Sequence, residues 1–135
     1  MAKLDEAQAA FLQNPYYAVL STIRPDGTSH QTVVWVDTDG GDILINTAEG
    51  RAKPRHMREN PNVSIAVLDP SNGYHWLAAS GKAELSHEGA DAHIDKLAKK
   101  YLDADSYPFR KEGEVRVIVR IRPERIETAG FEGDH

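Results

Sequence analysis

Three turn signals constrain the architecture of this chain more than any other feature. Arg24-Pro25-Asp26-Gly27, Asp39-Gly40-Gly41 and Asp69-Pro70-Ser71-Asn72-Gly73 each separate two runs that read as strands. Proline presets the first turn dihedral, glycine accepts positive φ, and aspartate or asparagine bonds its own backbone two residues on. Strands joined this closely run antiparallel, because a parallel crossover needs a dozen or more residues. Tyr16 to Ile23, His30 to Asp37 and Ile43 to Thr47 therefore read as three consecutive strands of a meander. Asn62 to Leu68 follows, then a long stretch from Tyr74 to Leu85 in which Gly81 marks a bulge or corner. Glu114 to Arg122 alternates strictly. Val115, Val117, Val119 and Ile121 share one face, and Arg116, Ile118, Arg120 and Arg122 the other. The first face belongs to the core, the second to solvent or a neighbouring subunit. A last short strand around Ile126 precedes a loose tail from Gly130 to His135.

Helical periodicity occurs in three places. Leu4, Ala7 and Phe11 form a stripe that Asn14-Pro15 ends. Pro54 to Glu59 holds about two turns before Asn60-Pro61 stops it. Between His87 and Leu102, Ile94, Leu97, Ala98 and Tyr101 recur at i, i+3, i+4 and i+7, the clearest helix in the chain. Residues 103–113 are polar and irregular, a loop over one mouth of the fold. Six or seven short strands with peripheral helices predict a mainly β domain, an antiparallel barrel rather than a doubly wound sheet.

At 135 residues the chain makes a single domain, with no room for separate cofactor and substrate domains. Any sizeable ligand then lies on a surface or between subunits. The chain has no cysteine, which removes thiolate nucleophiles, disulfides and iron–sulfur clusters. Its six histidines show no metal-binding spacing, and there is neither a nucleophile elbow nor a phosphate-binding loop of the triphosphatase kind. With no apolar run of membrane length and no signal-like N-terminus, the expected location is the cytoplasm.

Charge is distributed unevenly. The chain carries net −5, yet Arg51 to Asn60 holds Arg51, Lys53, Arg55 and Arg58 against Glu59 alone. With Pro54 read as the first helical position, Arg51 and Lys53 precede a helix start, whose partial positive charge disfavours a cation by a few tenths to about 1 kcal/mol. Glu49 is the only acid near them in sequence. A bound anion reverses that sign, and orphan N–H groups, a dipole and converging cations make a phosphate site. One basic run on an acidic chain offers too few phosphate contacts for a nucleic-acid binder. No general acid, base or nucleophile stands out, which suits a cofactor that brings its own chemistry.

The order of motifs resembles the pyridoxamine-phosphate-oxidase-like split β-barrel family. The resemblance is carried by Val19 to Thr28, Val34-Trp35-Val36, Ile45-Asn46-Thr47, Arg51-Ala52-Lys53-Pro54-Arg55 and Asn60-Pro61-Asn62-Val63-Ser64. It is most similar to the deazaflavin-dependent reductase branch. The resemblance implies an FMN-binding type of split barrel, a homodimer with cofactor grooves at the subunit interface, and an organic small-molecule substrate. It also implies that Arg51 and Lys53 bind the cofactor phosphate with the backbone of Ala52, that Thr32, Val33 and Val34 line the ring, and that Asn46 and Thr47 edge it. Trp76 then approaches from the partner subunit, and Arg55 or Arg58 meets an acidic tail. Flavin oxidases of the family place basic residues on the strand equivalent to His30–Asp37 and an adjacent Arg-Lys pair in the loop. Here Gln31-Thr32-Val33-Val34-Trp35 has no cation and the pair is split by Ala52. That pattern favours the deazaflavin coenzyme F-420 over flavin mononucleotide (FMN), with hydride transfer to an unsaturated or carbonyl compound. The rivals are an FMN-dependent enzyme of the same fold and a noncatalytic deazaflavin- or haem-binding barrel.

Overall fold

In the computed structural model, which describes residues 2–134, a single seven-stranded antiparallel sheet is flanked by three helices. Helix α1 (Glu6–Leu12) opens with a reciprocal capping box between Asp5 and Gln8. It buries Phe11 and Leu12, whereas Ala7, expected on the apolar stripe, is exposed. The strands are β1 (Ala18–Ile23), β2 (Ser29–Val34), β3 (Asp37–Asp39), β4 (Asp42–Ala48), β5 (Asn62–Leu68), β6 (Trp76–Ser86) and β7 (Arg116–Ala129). Helices α2 (Ala52–Glu59) and α3 (Ala90–Leu102) follow β4 and β6.

The sheet order is β2-β1-β5-β6-β7-β4-β3. Its two edge strands, β2 and β3, are nevertheless joined by Trp35-Val36 alone. The sheet must therefore curl until its edges meet at that corner, which is the geometry of a split barrel. The run His30–Asp37, read from sequence as one strand, is broken there, because its residues up to Val34 pair with β1 whereas Asp37 pairs with β4. The inner face holds Leu20, Val36, Ile43, Ile65, Leu77 and Ile121, each almost fully buried.

Two further expectations change. The strand around Ile126 is not separate: β7 runs without interruption for 14 residues. It passes Pro123 at a register shift opposite Ser80 and Gly81. Gly81 is required at that bulge, since a Cβ there would lie 2.1 Å from the Arg122 carbonyl oxygen. Helix α3 matches its predicted stripe and buries His93 beside Ile94, Leu97 and Ala98. The tail beyond β7 lies within the described residues up to Asp134, and His135 falls outside them. Among the described residues no helix is long and apolar enough to cross a membrane.

Candidate functional site

Helix α2 begins two residues earlier than Pro54 suggests. Arg51 is its N-cap, Ala52 and Lys53 are its first two helical residues, and Pro54 is the third. Proline is tolerated there because amides of the first turn lack intrahelical partners anyway. Lys53 is thus inside the helix rather than ahead of it. Among the described residues no side chain caps this N-terminus, and the first turn carries no acid. Its free N–H groups and its dipole remain uncompensated by the protein.

A groove of about 210 Å³ opens beside this helix start, between the edge of β2, the outer face of β4 and β7, and α3. Arg51, Lys53 and Arg116 supply its polar end; Trp35, Tyr107 and Phe109 supply an aromatic wall. Lys53 has no hydrogen bond or ion pair among the described residues. Partial burial, with the Arg51 and Arg116 guanidiniums nearby, pushes its amine below the usual lysine range. Among the described residues Glu114 is the one carboxylate that answers these cations, accepting from Arg116 at 3.0 Å and lying 3.8 Å from Arg51. Glu49, the acid closest in sequence, is occupied elsewhere. It accepts both guanidinium nitrogens of Arg58 at 2.7 and 2.6 Å and contacts His87 at 2.6 Å, and these hold its carboxyl down at about 2. Two positive charges in excess, beside an uncapped helix start, form a site for an anion.

The sequence-predicted residues divide by position. Val33, Val34, Asn46, Arg51 and Lys53 all line the groove. Ala52 sits at the helix start between the two cations. Thr32 is on the edge strand, with a buried hydroxyl that has no partner among the described residues. Thr47 shares the inner face of β4 with Ile43 and Ile45, fully buried, and its hydroxyl is also without a partner among the described residues. Arg55 is exposed and makes no ion pair among the described residues, whereas Arg58 is engaged by Glu49. Trp76 does not line this groove. It shares the outer face of β6 with Ala78 and Ser80, beside the exposed Leu68.

Residues 4–130 match the sequence pattern of the family described as pyridoxamine 5'-phosphate oxidase. The chain belongs to the pyridoxamine 5'-phosphate oxidase family. Within it, the chain is similar to an F-420H(2)-dependent biliverdin reductase of Mycobacterium tuberculosis, with 23% identity over 125 residues, covering 92% of this chain and 87% of the relative. A solved F-420 reductase superposes with a TM-score of 0.78 at 30% identity, covering 92% of this chain and 98% of that one. General stress protein 26 of Bacillus anthracis str. Sterne shares the fold at a TM-score of 0.69 and 20% identity, covering 89% and 88% of the two chains.

In this family member, sequence reasoning missed Arg116 and its support. Arg116 was expected on a solvent or subunit face; it is buried, with a side chain only 2% exposed. The β4–β7 register sets Arg116 opposite Ala48, which puts Asn46 beside it on the same face. Arg116 Nε donates to Asn46 Oδ1 at 2.9 Å. The Tyr107 ring covers the guanidinium at 5.1 Å. Tyr107 is held by its own amide, which donates to Asp95 at 2.8 Å, and by its edge contact with Trp35. Trp35 in turn stacks on Tyr101 at 5.2 Å. One signal was legible: His93 occupies a position on the apolar stripe of α3, where an unexplained polar residue points to a buried partner.

Proposed function

We propose that this protein is a cytoplasmic, homodimeric oxidoreductase that uses the reduced deazaflavin coenzyme F-420 to transfer hydride to an unsaturated or carbonyl organic substrate. The observation that carries the reading is the unpartnered Lys53 amine, half-buried among cations at an uncapped helix start. A protein with no ligand gains nothing from that arrangement, whereas a cofactor phosphate satisfies all of it. The similarity to an F-420H(2)-dependent biliverdin reductase and to an F-420 reductase supports the choice of cofactor.

Arg51 and Lys53 would hold the phosphate, with the amides of Ala52 and Lys53 as further donors. Thr32, Val33 and Val34 lie on an edge strand whose outward backbone groups no other strand pairs, so they can run along the ring. Asn46 sits at the groove floor, and exposed Arg55 can meet an acidic tail. Trp35, Tyr107 and Phe109 exclude water from one side. When bound, the reduced deazaflavin supplies the hydride. The outer face that carries Trp76 also exposes Val19 and Leu68, an apolar surface suited to the second subunit, whose groove the partner's Trp76 would approach.

Purified protein titrated with coenzyme F-420 and, separately, FMN tests the cofactor, and light scattering tests the dimer. Tight deazaflavin binding by a species of twice the chain mass is expected. FMN binding without deazaflavin binding overturns the reading. Deazaflavin binding without turnover on enones, quinones or tetrapyrroles makes the protein a carrier.

A further inference from the structure

Arg116 has three nitrogens, and two are committed to the protein. Nε donates to Asn46 Oδ1 at 2.9 Å and Nη1 to Glu114 at 3.0 Å. The third, Nη2, has no protein partner among the described residues and is not sealed from the groove that the residue lines. A guanidinium fixed at two points with its third nitrogen free is a preorganised anion ligand.

What fixes it is a buried relay. Because Asn46 Oδ1 accepts from Arg116, its amide nitrogen must face the other way, and it donates to the Ala90 carbonyl at 2.9 Å. The same nitrogen lies 3.1 Å from His93 Nδ1. A donor on Asn46 requires an acceptor on histidine, so Nδ1 carries no proton and the tautomer has its hydrogen on Nε2. That hydrogen is donated to Asp37, 3.2 Å away. Asp37 is buried and kept ionised by His93, by the Thr38 amide at 2.8 Å and by Lys96 at 3.0 Å. The groups facing the imidazole are therefore Asp37 from β3, Asn46 from β4, Lys96 from α3 itself and, through Asn46, Arg116 from β7. Lys100 approaches Asp37 from the following turn of α3, and Glu114 holds the far side of Arg116.

We propose that Arg116 is a third ligand for the anion bound beside Arg51 and Lys53, and that neutral His93 is its positioning residue through Asn46. A second proton on His93 places a donor against the Asn46 amide nitrogen. The amide must then turn, losing the Ala90 carbonyl and presenting its NH₂ to the Nε hydrogen of Arg116. One of the two anchors of the guanidinium is lost, and the anion site loosens. This rests on the cofactor-phosphate reading of the groove.

The test follows coenzyme F-420 affinity by fluorescence in the wild type and in two His93 variants. In parallel, NMR follows the His93 ring nitrogens and the Arg116 Nε–H in the ligand-free proteins. His93→Leu, which offers Asn46 no acceptor, binds about tenfold more weakly than the wild type. His93→Asn, whose carbonyl can replace Nδ1 as the acceptor, recovers most of that loss. In the ligand-free proteins, Arg116 Nε–H exchanges faster in His93→Leu than in the wild type and His93→Asn. Equal affinities for the three proteins, an Arg116 Nε–H that exchanges alike in all of them, or a ligand-free His93 with its hydrogen on Nδ1 overturns the proposal. If the wild type binds no coenzyme, the cofactor reading falls instead, and the ligand-free NMR alone decides the relay.

Discussion

Replacing Lys53 by Met should stabilise the free protein while weakening its ligand binding, a combination expected only of a residue placed for a ligand. Lys53 is the second helical residue of α2, where the N-terminal dipole costs a cation about 0.3–1 kcal/mol. Burial and the Arg51 and Arg116 charges add to that cost, as the downward shift of its amine shows. In the alkaline interval between the folded and unfolded pKa values, the unfolded chain binds the extra proton, so wild-type stability rises with pH there. At neutral pH the charged amine is therefore a net burden. Methionine keeps most of the aliphatic stem and removes the charge, so the free variant should gain about 0.5–1 kcal/mol, or roughly 2–4 °C in Tm for a chain of this size. The gain should shrink as pH rises towards the unfolded lysine value of about 10.4, because the folded lysine gives up its proton before the unfolded one does. Coenzyme F-420 binding should weaken by about 1.5–3 kcal/mol, the scale of a charge-assisted contact, and the ligand-induced rise in Tm should fall accordingly. Thermal unfolding with and without coenzyme, together with a fluorescence titration, measures both quantities. A free variant less stable than the wild type, or an unchanged dissociation constant, refutes the reasoning.

Other outcomes follow from single contacts. Asp37→Asn should cost about 3 kcal/mol in urea unfolding at neutral pH, because it leaves the His93 and Lys96 donors without their shared anion. The folded-state pKa of Asp37 is depressed, so the stability it contributes is present above its unfolded value near 4 and is lost as pH falls below it. The gap between wild type and variant should close in acid. Gly81→Ala should destabilise by about 3 kcal/mol in the same assay, since the new Cβ meets the Arg122 backbone carbonyl and not a yielding side chain. Thr47→Val should raise stability by about 1 kcal/mol by removing a buried hydroxyl with no partner, and should leave coenzyme affinity unaltered because that side chain faces the barrel interior. A drop in affinity for Thr47→Val would return the residue to the ring edge that the family resemblance implies.

The features legible in the chain are those that neighbours in sequence decide. The turns at Pro25-Asp26-Gly27 and Gly40-Gly41 specified antiparallel hairpins through backbone dihedrals that only certain residues adopt. The period of Ile94, Leu97 and Ala98 specified α3, Gly81 marked the bulge, and the charge around Arg51 and Lys53 marked the helix start that lines the groove. Each of these signals spans fewer than about ten residues, a range in which side-chain spacing maps directly onto geometry. Where local rules competed, the prediction slipped: Pro54 suggested the first helical position, but the helix could begin two residues earlier because early amides need no partner.

The tertiary structure decided what met across the sheet. Nothing near Arg51 in sequence announces Glu114 as its counter-charge, and nothing in the alternation of β7 tells Arg116 from Arg122. Both arginines lie on the same face by period; one is buried under Tyr107 beside Asn46, while the other reaches Asp42 and Glu84 near solvent. The difference comes from strand register and from which loop covers which end of the strand, and both depend on contacts made by residues far apart in the chain. The sequence by itself thus determined an antiparallel barrel with a cationic helix start. Only the closed fold decided that the start faces a third, buried arginine held through Asn46 and His93, because a periodic pattern fixes the face of a residue but not what the opposite strand, helix or loop brings against it.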